Sequence, residues 1–462
     1  MTWKLSDIAK MVNGKIINPP VEDQIIRGVQ QDSRKIEEDF LFVPLIAERD
    51  GHDFVKAAKE AGAAASFWSQ ELTEAPKDFP LIIVEDSLKA LQIFAQSYLR
   101  EVNPKVIAIT GSNGKTTSKD MVNKVLEKKY QTHKTAGNYN NHIGLPLTIL
   151  EMDKNCEVLI LEMGTSHPGE IKELSQIAEP DIAVVTMIGE SHIESFGTRD
   201  RLAKEKLSIV SALQEDGLFI YPATEPLIKE KIDPTLRTKN FSIVGKADLY
   251  ANDIVERENA TEFSLYKKDG KESLSMAIPI PGSYNVNNAL IALMIGLELG
   301  VSFKEAKKQL AQLKITKNRL EWIKGINDWS ILNDAYNASP SSIKAVVSYF
   351  QGLDIEEGKV LVLGDVLELG EHSKRLHESL ADSIDPEAYR FIFLYGEEMA
   401  ALYQKLKEEK DSQNIFYFKE SKKELLQSLK EKVDPSSYLL FKSSNGTDLL
   451  SLIDKIRSHH SN

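Results

Sequence analysis

The sequence predicts an α/β protein of three domains. These are a small α/β N-terminal domain (1–104), a central domain with a parallel sheet plus antiparallel hairpins (105–317) and a C-terminal Rossmann-like domain (318–462). Three observations lead there. A chain of 462 residues exceeds what one hydrophobic core organises. Apolar runs of strand length alternate with helix-length segments, as βα units require. One run, Val106–Ile109, leads into the glycine-rich turn Thr110-Gly111-Ser112-Asn113-Gly114-Lys115-Thr116-Thr117, and a helical pattern follows.

Taken in order, Ile8, Ala9, Met11 and Val12 mark an amphipathic opening helix, and Phe40–Val43 and Leu81–Val84 read as strands. Asn103-Pro104 is the first boundary. In the central region the helix after the glycine turn carries Met121, Val122, Val125 and Leu126 on one face. Val158–Leu161, Ile182–Val185 and Leu218–Tyr221 are apolar enough to be buried parallel strands. Alternating residues over 240–280 flank Asp269-Gly270, the signature of an antiparallel hairpin. A helix over Asn288–Leu299 stops at Gly300. Beyond 318, strands over Ser330–Leu332, Val360–Leu363, Phe391–Leu394, Ile415–Phe418 and Tyr438–Phe441 alternate with helices such as Lys422–Lys432, which predicts a doubly wound parallel sheet.

Composition narrows the function. A net charge of −12 argues against nucleic-acid and anionic-membrane partners, leaving room for a local basic cleft. The single cysteine, Cys156, excludes an intramolecular disulfide and a cysteine metal cluster. No apolar run approaches membrane-spanning length, and the N-terminus has no apolar signal core, so a cytoplasmic protein without membrane insertion is expected.

The glycine turn is suited to polyphosphate, since glycines let backbone N–H groups approach the oxygens and the helix N-terminus adds positive potential. Gly111 through Thr117 would cradle ATP, with Lys115 on the β/γ-phosphates and the Thr116 hydroxyl on Mg²⁺, making the central domain a P-loop ATPase domain. The usual spacing has glycine where this chain has Ile109, and an ordinary βα turn is the alternative. Glu162, at a strand end beside that loop, is a candidate Mg²⁺ ligand or a solvated acid. The next strand runs into a loop holding His192, and Lys206 follows in an amphipathic helix, where spacing does not separate it from Lys204 or any surface lysine. Asn138, Asn140 and Asn141 form an amide-rich loop that is either ligand-binding or a capped turn. Polar clusters at Asn333–Ala338 and Leu363–Gly370 follow strands of the last domain and should line a cleft.

In their order these segments resemble the Mur ligases, ATP-dependent amide-forming enzymes of cytoplasmic peptidoglycan precursor synthesis. Asp32-Ser33-Arg34, Asp50–Phe54, Gly137-Asn138 through Pro146, Asn285–Leu290 and Asn318–Glu321 carry the resemblance together with the phosphate loop and the two polar clusters. It is strongest toward the branch that adds D-alanyl-D-alanine to UDP-N-acetylmuramoyl-tripeptide. The resemblance implies an N-terminal domain that holds the UDP end, with Ser33, Arg34, Asn138 and Asn141 as contacts, and a C-terminal domain that closes over the cleft. It implies catalytic roles for Lys115, Glu162, His192 and Lys206, and nucleotide contacts from Asn288, Arg319 and Asp334. Tyr336 and Asn337 would face the dipeptide. Thr116 and Glu162 would serve one magnesium and His192 a second, and Lys206 would be carbamylated by CO₂ into a metal ligand. The implied reaction passes through an acyl phosphate, and a monomer is expected. Met187, Ser339, Ser443 and Ala47 depart from the usual pattern, and none of them removes a metal or phosphate group. The rival readings are a sister ligase adding the third amino acid, whose Asp-Asn-Pro-Arg motif is missing here, and a P-loop ATPase without ligase activity.

Overall fold

The computed structural model describes residues 2–268, 273–314, 317–409 and 413–458. Its frame is three sheets in chain order. A five-stranded sheet lies within residues 15–83, a nine-stranded sheet within 105–278 and a six-stranded sheet within 321–442.

The nine-stranded sheet positions the site. Its strands Lys105–Thr110, Val158–Glu162 and Ile182–Val185 are parallel neighbours, with Glu162 opposite Ile109 and Val185 opposite Thr110. The C-terminal ends of the three therefore stand side by side, and the loops leaving them share one crevice. Alternation sends Ile107, Ile109, Val158, Ile160, Ile182 and Val184 to one face of the sheet and Val106, Ala108, Leu159, Leu161, Ala183 and Val185 to the other. The phosphate-loop helix Lys115–Leu126 and the helix Tyr284–Glu298 cover the first face. The second face packs on the helix Ser87–Val102 that closes the N-terminal domain, and its Leu91, Phe94, Ala95 and Tyr98 share one cluster with both that domain and the sheet. Each such side chain contributes roughly 1.5–3 kcal/mol by leaving water, so the first two domains share one continuous core.

The strand Leu249–Glu256 pairs parallel with Arg237–Ser242 and then antiparallel with Thr261–Lys267, which pairs with Ser273–Ile278. The expected antiparallel hairpin is thus present, while Asp269-Gly270 lies outside the described residues. In the last sheet five strands are parallel and Glu321–Lys324 runs antiparallel at one edge.

Two differences from the expected elements have plain causes. The helix read as starting at Asn288 begins at Tyr284, because two polar residues of its first turns are buried but satisfied. Asn285 donates to the Pro281 carbonyl at 2.8 Å and Asn288 to Asn285 at 2.9 Å. The strands Ala63–Trp68, Thr132–Lys134 and Arg237–Ser242 went unread, being alanine-rich or polar rather than β-branched.

Candidate active site

Strand ends of the central sheet and loops of the last sheet enclose a cleft of about 930 Å³. The phosphate loop forms its floor. Gly111 and Gly114 have φ of 152° and 83°. A Cβ on Gly111 would stand 1.8 Å from the Thr186 hydroxyl oxygen, and one on Gly114 would stand 2.5 Å from Asn288 Oδ1. Both positions therefore need glycine. Ile109, where a glycine was the usual residue, is a fully buried strand residue, and the turn begins only after Thr110. Lys115 Nζ donates to the Gly111 carbonyl at 2.8 Å. Burial lowers its pKa, Glu162 opposes that shift and Arg319 adds to it.

Glu162 is 3% exposed. Its N–H donates to the Thr135 hydroxyl at 2.9 Å, and its Oε1 accepts from Asn140 Nδ2 at 2.9 Å. Oε2 is buried without a hydrogen-bond partner among the described residues, a costly state for a carboxylate oxygen that a bound cation would relieve. Thr116, also buried, lines the same cleft, and this pair of oxygen donors suits a hard ion such as Mg²⁺. Among the described residues no group of three His, Cys, Asp or Glu could hold a metal, so an ion here would complete its shell with ligand or water oxygens.

Lys206 is 2% exposed and lines the cleft, and its side chain has no hydrogen bond or ion pair among the described residues. Burial first, and then the charge of Lys115, hold its pKa well below the usual lysine value, with Glu205 opposing. His192 has a left-handed backbone, φ 62°, and its Nδ1 meets the Glu368 carboxylate from the last domain. Burial lowers the His192 pKa; Glu368 opposes, while Lys115 and Lys206 push it further down.

The far wall comes from the last domain. The Arg319 guanidinium lies 4.7 Å over the Tyr336 ring. Asp334 pairs with Lys442 at 2.6 Å, and Lys442 also donates to the Asn337 carbonyl at 2.9 Å. Asn113 in the phosphate loop donates to the Ser339 hydroxyl at 2.7 Å, so this domain rests on the loop itself.

The structure gathers most of the expected residues. Ser112 through Thr117, Glu162, His192, Lys206, Asn288, Arg319, Asp334, Tyr336, Asn337, Asn138 and Asn141 all line the cleft. Gly111 lies beneath it as the turn residue, and the Asn288 amide is engaged by Ser118 at 3.0 Å. Asn141 caps the turn at Gly144 N with 2.8 Å, while Asn140 is the loop amide that reaches Glu162. Ser33 and Arg34 do not line the cleft. They sit on a short turn of the N-terminal domain where Asp32 grips the Arg34 guanidinium at 2.8 Å, which holds the Asp32 carboxyl at about 2.

Sequence reasoning missed Lys119, Lys442 and Glu368. Lys119 stands 4.0 Å from Glu162 Oε2 and donates to the Thr135 carbonyl at 2.8 Å. Its signal was available, since it follows Lys115 by one helical turn on a buried face. Lys442 and Glu368 gain meaning only from partners 108 and 176 residues away, respectively Asp334 and His192. The cleft lining holds eight lysines and arginines against four carboxylates, in a chain of net charge −12, which marks it for polyanions.

Residues 109–296 match the Mur ligase middle domain, and 318–445 match the Mur ligase glutamate ligase domain. The chain belongs to the Mur ligase family. UDP-N-acetylmuramoyl-tripeptide–D-alanyl-D-alanine ligase of Bacillus subtilis (strain 168) is 42% identical over 393 residues, covering 85% of each chain. The Escherichia coli (strain K12) protein of that name is 32% identical, covering 86% of this chain and 87% of its own. Among solved structures, MurF from Acinetobacter baumannii superimposes with a TM-score of 0.87 at 26% identity over 98% of both chains. MurF ligase from Thermotoga maritima in complex with ADP gives 0.81 at 27% identity, over 93% of this chain and 97% of its own. In this Mur ligase Lys115, Glu162, His192, Lys206 and Asn288 fall in the middle-domain match, and Arg319, Asp334, Tyr336 and Asn337 in the glutamate-ligase-domain match. Ser33 and Arg34 precede both.

Proposed function

We propose that this Mur ligase joins D-alanyl-D-alanine to UDP-N-acetylmuramoyl-tripeptide at the expense of ATP, forming ADP and phosphate as a cytoplasmic monomer. Residues 1–104 hold the UDP end through Ser33 and Arg34, 105–317 bind MgATP and 318–462 close the cleft. The observation that carries this reading is the meeting of a phosphate loop, a buried Glu162 oxygen without a hydrogen bond among the described residues and a buried Lys206 in one cleft that the last domain covers. The name shared by the 42%-identical relative supports the substrate pair.

The chemistry follows from charge. The peptide carboxylate attacks the γ-phosphorus, ADP leaves, and an acyl phosphate forms. Two unit charges of the same sign 4 Å apart repel by about 4 kcal/mol at an effective dielectric of about 20, so approach demands cations. Lys115 and Arg319 line the cleft where the phosphates would lie. The deprotonated amine of the dipeptide then attacks the acyl carbon, and the tetrahedral adduct expels phosphate to leave the amide. Covering the cleft keeps water from the acyl phosphate.

Magnesium, held by Thr116 with Glu162 and a second ion by His192 with modified Lys206, would supply charge neutralisation. A protonated lysine has no lone pair to offer a cation, and its neutral amine is a poor ligand for a hard ion such as Mg²⁺. Burial favours the neutral Lys206 amine, which adds to CO₂ to give a carbamate with release of one proton, turning a cation into an anionic oxygen ligand. The test is phosphate release with MgATP, UDP-muramoyl-tripeptides ending in lysine or diaminopimelate, and D-alanyl-D-alanine, each omitted in turn. Release that needs all three is expected; release indifferent to the dipeptide overturns the reading.

A further inference from the structure

We infer that Glu205 is a positioning residue of this ligase, fixing Lys206 relative to Glu162. The inference rests on the proposed role of Lys206. Glu205 and Lys206 are consecutive in the helix Arg199–Leu207, so their side chains leave it about 100° apart. Lys206 lines the cleft, while Glu205 turns away from it and is 7% exposed. There Oε2 accepts from Gly169 N at 2.8 Å and Oε1 from Ile171 N at 2.9 Å, with the Thr165 hydroxyl at 3.4 Å from Oε1. These donors belong to the segment that leaves the strand of Glu162 and opens the helix Glu170–Ala178. Gly169 caps that helix with φ 96°, so its N–H and that of Ile171 point at the carboxylate as the free donors of a helix start.

A carboxylate from 34 and 36 residues away occupies that cap. A cap alone calls for a nearby Asp or Ser. What the distant Glu205 adds is a bridge between the two walls that carry Lys206 and Glu162. Thr165, Ser166 and Glu170 of the gripped segment also line the cleft, and Ser208 locks the other side by donating to the Glu205 carbonyl at 2.5 Å. The ion proposed at His192 and carbamylated Lys206 would share the cleft with the one at Thr116 and Glu162, so Lys206 Nζ needs a set place relative to Glu162, and Glu205 supplies the constraint.

The experiment uses the full chain with Glu205→Gln, Glu205→Asp and Lys206→Ala. Gln keeps the size but replaces one acceptor with a donor facing an N–H; Asp keeps the charge but is too short to reach both amides. For Glu205→Gln we expect turnover to fall and the bicarbonate concentration for half-maximal activity to rise, the larger effect being roughly 10–100-fold as for other outer-shell partners. The ¹³C-carbamate NMR signal after incubation with ¹³C-bicarbonate should weaken, and ADP affinity should hold. Wild-type bicarbonate dependence and carbamate signal in a Glu205 variant, whatever its thermal stability, overturn the inference. If Glu205→Gln fails to fold, Glu205→Asp is read against the same two signals. A fully active Lys206→Ala protein removes the underlying role of Lys206 instead, and so is told apart from a failure of Glu205 alone.

Discussion

The residues of this site work through burial. Lys115→Ala should lower ADP formation by at least ~10²–10³-fold, the cost of losing one preorganised charge partner, while binding of the UDP-substrate, which the proposed function assigns to the N-terminal domain, should persist. Phosphate release and calorimetric titration with the UDP-substrate measure the two. Lys206 makes a sharper case because its burial bears on stability. Its folded pKa lies below the unfolded value of 10.5, so the unfolded chain binds more protons between those two values. Unfolding free energy must then rise with pH in that window, the penalty being full below the folded pKa and vanishing above the unfolded one. Lys206→Met should accordingly melt higher than wild type at pH 7 in CO₂-free buffer, with the gap narrowing toward pH 10. A gap that widens with pH contradicts the assignment. Glu162 was legible as a strand-end acid, but its surroundings were not: Asn140 bonds Oε1, and Lys119 stands 4.0 Å from Oε2 without a hydrogen bond to it.

At the scale of elements, glycine positions and apolar runs were the readable signals. Gly111→Ala should abolish nucleotide binding and destabilise the chain, because the new Cβ would stand 1.8 Å from the hydroxyl of Thr186, which is buried and bonded to Thr110 and Asn113 just past its strand. Equilibrium ADP binding and thermal unfolding check it. Gly114→Ala should be milder, about 1–2 kcal/mol for its left-handed backbone, since Asn288 can turn aside. Strands with strong apolar content were legible to within a residue or two: Val158–Leu161 extends only to Glu162, and Lys422–Lys432 is the observed helix. Ala63–Trp68 was not, because alanine has no β preference and only the parallel neighbours Phe40–Phe42 and Leu81–Ile83 make it a strand.

Across the whole molecule, one apolar cluster runs from the central domain into the last, and polar contacts at the loops add to it around the cleft. Glu368 meets His192, its carbonyl accepts from Glu194 N at 3.2 Å, and His372 Nε2 lies 2.8 Å from the Gly197 carbonyl. Such contacts are individually weak, and a partly exposed pair contributes on the order of 1 kcal/mol or less. Glu368→Ala should therefore leave folding nearly unchanged while loosening the cover over the acyl phosphate. The expected result is a severalfold higher ratio of phosphate released to amide formed, read by quantifying both products; an unchanged ratio would separate this contact from closure. By itself the sequence determined the α/β class, the phosphate loop, the strand-end acid and the ordered motifs of a Mur ligase, because these are local patterns with local causes. Only the tertiary structure decided that Lys206 is buried within reach of the Lys115 charge, that Glu368 reaches His192 and that Glu205 spans to the Glu170 helix. Those facts depend on distances between segments remote in the chain, and packing sets them rather than any periodicity along it.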